Sequence, residues 1–159
     1  MKNQHGFTLI ELVIIIVLLA ILAAVAIPRL GDVTSMKAAA TAEKLKSDIR
    51  YAQELAMTQN RSYRVYFNGA PAPASGYAVV YDTSGGAWTS FGYAQDPTGK
   101  GNLSVTLNSG DYAGVTASIT AGADPIEFNS LGRPAGGATT VTVSPNGSIT
   151  ISAETGAVN

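Results

Sequence analysis

The sequence predicts an α+β protein in which a long N-terminal α-helical spine packs on a small antiparallel β-sheet or sandwich domain. Three observations predict it. An almost unbroken apolar run covers Phe7 to Ile27, and the residues after it place apolar side chains at helical spacing. Beyond Asn60 the apolar period changes from 3.6 to 2, and short β-branched runs alternate with Gly-, Pro- and Asn-rich stretches. The 159 residues, 46% hydrophobic and 13% charged, are enough for one modest core. A net charge of −1 provides no general attraction to nucleic acid or anionic lipid.

The first element is the run "GFTLIELVIIIVLLAILAAVAIP", Gly6 to Pro28. Its apolar part is about 21 residues long, and a helix needs roughly 20 to span a bilayer core. Lys2 precedes it and Arg29 follows it, which leaves a short cytoplasmic tail and the remainder outside the inner membrane. It carries one charge, Glu11, and three readings treat that charge differently. A secretory signal would be cut near Ala24-Val25-Ala26, but its apolar core runs to roughly 7–15 residues and avoids acids. A plain membrane anchor would tolerate Glu11 near one end; at a helix centre an acid costs roughly 2.5–3.5 kcal/mol, and a bare anchor gives it nothing to do. The third reading gives the carboxylate a partner.

On that reading Gly6-Phe7-Thr8-Leu9-Ile10-Glu11 resembles, position for position, the prepilin signature of type IV pilins and type II secretion pseudopilins. The resemblance implies a pilin fold and a leader of residues 1–6, removed by prepilin peptidase between Gly6 and Phe7, with N-methylation of Phe7. Residues 7–28 are then retained, first as a transmembrane helix and later as filament core. The Phe7 amine and the Glu11 carboxylate of adjacent subunits become the assembly residues. Opposite charges in a low-dielectric medium attract strongly, and stranding either is costly, so such a pair sets register. The implied partners are other pilin or pseudopilin subunits, the peptidase, an inner-membrane assembly platform and, before assembly, lipid. The implied location is the bacterial inner membrane as a single-pass protein, then a periplasmic or extracellular filament.

Pro28 lacks an N–H and is the expected helix kink, with Gly31 adding to it. Residues 29–60 continue the spine as an amphipathic helix. Leu45, Ile49, Ala52 and Ala56 form one apolar stripe, Lys44, Lys46, Arg50 and Glu54 lie mostly elsewhere on the wheel, and Arg50 and Glu54 are spaced to pair. The helix should fade between Thr58 and Asn60. Many pilins have glycine where this chain has Ala20; alanine favours helix by nearly ~1 kcal/mol, so melting between Ala20 and Pro28 should be small or confined near the proline.

Residues 61–159 form the β-rich globular domain. Ser62–Phe67, Tyr77–Asp82, Ala87–Tyr93, Leu103–Leu107, Val115–Ile119, Ile126–Phe128, Thr139–Val143 and Ser148–Ile151 read as strands, and the last two form a hairpin across Pro145-Asn146-Gly147. "YAQELA", "IEFNSLGRP" and "SITISAETG" resemble FimT/GspH-type minor pilins and pseudopilins, and "IPR" at Ile27–Arg29 is shared with pilins of the MSHA type. Some FimT-type proteins bind DNA through basic residues near the C-terminus. Here no Lys or Arg follows Arg133, which counts against nucleic acid as a partner.

Catalytic signals are missing. The sole histidine is His5, in the expected leader, and there is no cysteine, which removes Ser-His-Asp and Cys-His catalysis and the usual zinc sites. "PTGKGN" lacks the Gly-x4-Gly-Lys-Ser/Thr of a phosphate loop and reads as a solvated turn. Asp96 and Asn102 flank it and could offer oxygens to calcium, with one acid in the loop. The tyrosines, Trp88 and Phe91 are accounted for by strand packing, with a carbohydrate-binding patch or an electron-conducting stack as lesser readings. The expected function is therefore non-enzymatic and cofactor-free: a structural subunit that polymerises through its N-terminal helix for adhesion, motility or secretion. The alternative is a monomeric, membrane-tethered extracytoplasmic binding module. The mature N-terminus separates the readings: methylated Phe7 for a pilin, Ile27 for a secreted protein, Met1 for an anchor.

Overall fold

The computed structural model describes residues 8–26 and 32–159. The chain divides into two units, 1–33 and 34–159. The first contains helix α1, Leu9–Ala26, which continues through Ala20 without a break. The second is built on helix α2, Asp32–Thr58, and eight strands: β1 Tyr63–Phe67, β2 Gly76–Asp82, β3 Phe91–Tyr93, β4 Ser104–Thr106, β5 Thr116–Ala121, β6 Ile126–Phe128, β7 Thr139–Ser144 and β8 Gly147–Ile151. Helix and antiparallel sheets share one core, the α+β architecture expected of the sequence.

The core follows from the two periodicities. Along α2 the side chains of Ala38, Leu45, Ile49, Ala52 and Ala56 are fully buried, at the i, i+3/i+4 spacing that puts them on one helix face. Along β1 Tyr63, Val65 and Phe67 point inward while Arg64 and Tyr66 alternate outward. The strands form two antiparallel sheets. One has the order β3-β2-β1-β6, with β4 also pairing with β2; the other has the order β5-β7-β8. They meet where β5 passes β1 and β2, and there the Asn68 side-chain amide donates to the Ala117 carbonyl at 2.8 Å. Val65, Tyr77 and Phe128 from the first sheet, Val141, Ile149 and Ile151 from the second, and the α2 stripe make one hydrophobic cluster.

The expected β7–β8 hairpin forms, with Val141 opposite Ile149 and Val143 opposite Gly147. The C-terminal residues then fold back, with Val158 bridging Ile151. Gly76 shows what a glycine permits here: its φ is +154°, and an added Cβ would lie 2.0 Å from the Val105 carbonyl oxygen, so only glycine lets β4 approach β2 at that point.

Two expectations need correction. The strand expected over Ala87–Tyr93 is limited to Phe91–Tyr93. Before it the chain wraps around the Asp82 carboxylate, which accepts the backbone N–H groups of Ser84 and Gly86, and Trp88 takes a left-handed φ of 54° that no strand allows. The indole lies 3.9 Å from the Arg64 guanidinium, which also pairs with Glu127 at 2.8 Å. The second correction concerns Arg50. It does not reach for Glu54; its guanidinium donates to the Val158 carbonyl at 2.6 Å and so ties the C-terminal segment to α2. The ion pair one turn apart on α2 is instead Lys44 with Asp48, at 2.7 Å.

Asp48 is almost fully buried and also accepts from the Tyr77 hydroxyl at 2.6 Å. That phenol is held well above its ordinary pKa, first by burial and then by the neighbouring carboxylate, so it remains a donor across the accessible pH range.

Because this core is complete within residues 34–159, the chain from about Gly31 onward is expected to fold as a soluble monomer once the apolar run is removed. In that truncated protein Ile49→Asp places an unpaired charge in the core and should cost several kcal/mol, on the order of a small domain's whole stability of roughly 5–15 kcal/mol. Circular dichroism melts measure it, and an unchanged midpoint would mean that this face of α2 is not packed.

Candidate functional site: an exposed apolar helix

Helix α1 has the sequence LIELVIIIVLLAILAAVA. Its leucines, isoleucines and valines are spread around the whole circumference, so there is no polar face to turn toward water. The large hydrophobic side chains from Leu9 to Leu22 are between 38% and 82% exposed, and none is buried. A helix of this composition is stable only when something covers it on all sides. Among the described residues, none of the large hydrophobic side chains from Leu9 to Leu22 is covered.

The start of α1 is a built feature. Thr8 precedes the helix, its side-chain oxygen accepts the Glu11 backbone N–H at 3.3 Å, and its carbonyl accepts from Glu11 at 3.1 Å and Leu12 at 3.2 Å. Thr8 is thus the N-cap and Glu11 the third helical residue, the Thr-x-x-Glu arrangement of a capping box. The carboxylate in the first turn also opposes the positive end of the helix dipole. In hydrocarbon, where an unsatisfied N–H costs several kcal/mol, the cap matters more than it would in water. The motif was legible in Thr8-Leu9-Ile10-Glu11, but the sequence reading assigned Glu11 to assembly alone and left Thr8 without a role.

Of the anticipated site residues, Glu11 is placed in the first turn of α1 and is exposed. Gly6, Phe7 and Pro28 lie outside the described residues. Among the described residues no helix is long and apolar enough to cross a membrane. At 18 residues α1 extends about 27 Å, just short of a hydrocarbon core of about 30 Å. Also among the described residues, no group of three or more His, Cys, Asp or Glu side chains is placed to hold a metal ion. Asp96 and Asn102 line one cleft beside the bridge that Asn102 makes with Gln95, but Lys44 and Lys100 line the same cleft. The aromatics pair rather than form a continuous stack: Tyr63 with Tyr81, Phe67 with Tyr77, and Phe91 with Tyr93, at 5.6, 6.2 and 5.9 Å between ring centres.

Comparison with known families bears on what covers α1. Residues 1–27 match the prokaryotic N-terminal methylation motif, and residues 41–158 match the type II transport protein GspH. The chain belongs to the GspH family of pilin-like proteins. It is 36% identical over 88 residues to the type IV narrow pilus major component PilA5 of Thermus thermophilus, a match covering 55% of this chain and 72% of that one. It is 41% identical over 61 residues to a fimbrial protein of Pseudomonas aeruginosa, covering 38% of this chain and 40% of that one. The minor pseudopilin EpsH of the Vibrio cholerae type 2 secretion system shares the fold, with a TM-score of 0.56 and 16% identity over 77% of this chain and 94% of that structure. The GspH-family chain is a structural subunit of the pilus or pseudopilus class, anchored at a membrane and then part of a polymer of pilin subunits.

Removing the cap tests the local structure. Thr8→Ala should fray the first turn of α1, with a loss of about 1 kcal/mol. In detergent micelles this reads as roughly fivefold faster amide exchange at Glu11 and Leu12, restored by Thr8→Ser. Unaltered exchange would show that the Thr8 side chain does not cap α1.

Proposed function

We propose that prepilin peptidase cuts this chain between Gly6 and Phe7, that Phe7 is N-methylated, and that the mature subunit polymerises through residues 7–28 into a type IV pilus or type II secretion pseudopilus. The observation that carries the proposal is α1 itself: apolar on every side, exposed along its length, and marked by a single carboxylate in its first turn. Lipid covers it first, with the segment crossing the inner membrane once. With Phe7 before Thr8 and Ile27 after Ala26, the apolar run of the sequence reaches the roughly 20 residues that a span requires. Neighbouring subunits cover it later, at an inner-membrane assembly platform. Glu11 is the register: its carboxylate meets the Phe7 amine of an adjacent subunit, and each offsets the desolvation of the other.

Two substitutions separate the steps. Gly6→Val crowds the cleavage site with a branched side chain and should leave full-length protein in the inner membrane. N-terminal sequencing that still finds Phe7 would sink the processing assignment.

Glu11→Leu should preserve membrane insertion and cleavage, since it removes the lone acid from the apolar run and leaves Gly6-Phe7 untouched. Polymer formation should fall sharply, with Glu11→Asp intermediate because the charge is kept and the reach shortened by one methylene. Shearing and fractionating cells measures how much processed subunit leaves the membrane. Parental levels of assembly for Glu11→Leu would exclude the carboxylate as the register.

A further inference from the structure

A cleft of about 360 Å³ opens between α2 and the β3–β4 connection. Lys44 enters it from the helix, Asp96, Lys100 and Asn102 from the connecting turn, Ser104 and Thr106 from β4, and Tyr112 from the short 3₁₀ turn at Gly110–Tyr112. The turn is held rigidly: the Asp96 N–H donates to the Gly101 carbonyl at 2.7 Å and the Gly99 N–H to the Asp96 carbonyl at 2.9 Å. Its volume lies at the small end of the roughly 300–1,000 Å³ that ligand sites occupy.

The charges of the cleft cancel. Lys44 is fixed by buried Asp48 at its back, and Lys100 is balanced by Asp96. The Asp96 carboxyl is held below the usual carboxylate range by the Thr98 hydroxyl and backbone N–H, with Lys44 and Lys100 adding to the effect, so it is ionised at neutral pH. Both bonds from Thr98 go to Oδ1, at 2.6 and 2.7 Å. Among the described residues nothing donates to Asp96 Oδ2, and the side chains of Lys100, Asn102, Ser104 and Thr106 make no internal hydrogen bond.

Each alternative occupant conflicts with this lining. A divalent cation would sit beside two ammonium groups and a single lining carboxylate. A free anion would face the ionised Asp96 with no net positive charge to hold it. An apolar side chain would find mainly Val105 and the Tyr112 ring. A neutral polyol matches the lining: its hydroxyls donate to Asp96 Oδ2 and accept from Lys100 and the Asn102 amide, replacing water bond for bond, while the tyrosine offers an apolar surface at the wall.

We propose that this cleft binds one uncharged sugar residue of a glycan. The site lies wholly within residues 34–159 and does not depend on how subunits assemble.

The test uses the full chain, unassembled, in dodecylphosphocholine micelles rather than a glycoside detergent. It is applied to an array of neutral and uronic-acid oligosaccharides at low and high salt. The expected result is binding to neutral glycans that salt hardly changes. Asp96→Asn and Asn102→Ala should each weaken it about tenfold, since each removes a hydrogen-bonding group that the ligand needs, and Arg133→Ala should leave it unaltered. Asn102 is exposed, so its variant should keep the parental melting midpoint. Three results would overturn the proposal: binding confined to the acidic oligosaccharides and lost in salt, parental binding by both cleft variants, or no binding to any glycan. A Glu11→Leu chain should bind glycan as the parent does, so failure of assembly and failure of the sugar site remain distinguishable.

Discussion

The structure depends on a helix, α1, whose large hydrophobic side chains are all exposed among the described residues. The large hydrophobic side chains of Leu9 to Leu22 are between 38% and 82% exposed, and at roughly 25 cal/mol per Å² such surface is too costly to leave in water. Two consequences follow. The folded unit of residues 34–159 has to be stable without help from α1, and its core is closed by α2 and the two sheets alone. The cover for α1 has to come from outside the chain, first from lipid and then from like subunits. One requirement thus separates the molecule into a part that folds alone and a part that is satisfied only in company.

Within the folded unit, the seating of α2 is set by polar contacts as well as by its apolar stripe. Tyr77 and Lys44 both bond to Asp48, one from β2 and one from the preceding turn of the helix. Gln53 donates to the carbonyls of Gly132 and Thr155, and Arg50 to that of Val158. An apolar stripe of alanines and aliphatics tolerates sliding, since hydrophobic burial has no direction. These hydrogen bonds do not tolerate it, because a shift of one turn would take Asp48 away from the Tyr77 hydroxyl and Gln53 and Arg50 away from their carbonyls. The helix is thereby fixed in register against strands that lie far away in sequence.

The division between what could be read from residues and what could not follows the same line. Leu45, Ile49, Ala52 and Ala56 were legible because burial on a helix leaves a period, and the β7–β8 hairpin because alternating Val and Ile flank a strong turn. Asp48 was not: a charged residue on a helix reads as solvated, and only the fold brings Tyr77 to it. Arg50 was assigned the neighbour that helical spacing offers, whereas the fold supplied a backbone carbonyl from the C-terminus. The apolar and aromatic residues at 87–93 resembled a strand, but the Asp82 carboxylate two to four residues before Ser84 and Gly86 gave the backbone a local alternative to pairing. The order in which β4 and β6 join the first sheet depends on contacts that no local window contains.

Glu11 joins the two halves of this logic. In the subunit alone it lies at the third position of a helix whose cap is Thr8, where a carboxylate opposes the dipole and stabilises the first turn. That contribution is modest, about 0.3–1 kcal/mol at an exposed position, and by itself would not compensate an acid in an otherwise apolar run. A partner amine changes the balance, because in hydrocarbon the pair is worth keeping while either charge alone is not. The cap by Thr8 fixes the Glu11 backbone in the first turn of α1, so the carboxylate always starts from that end of the helix. On the proposed assembly role, a residue first useful for beginning a helix would also serve to align that helix with the next one.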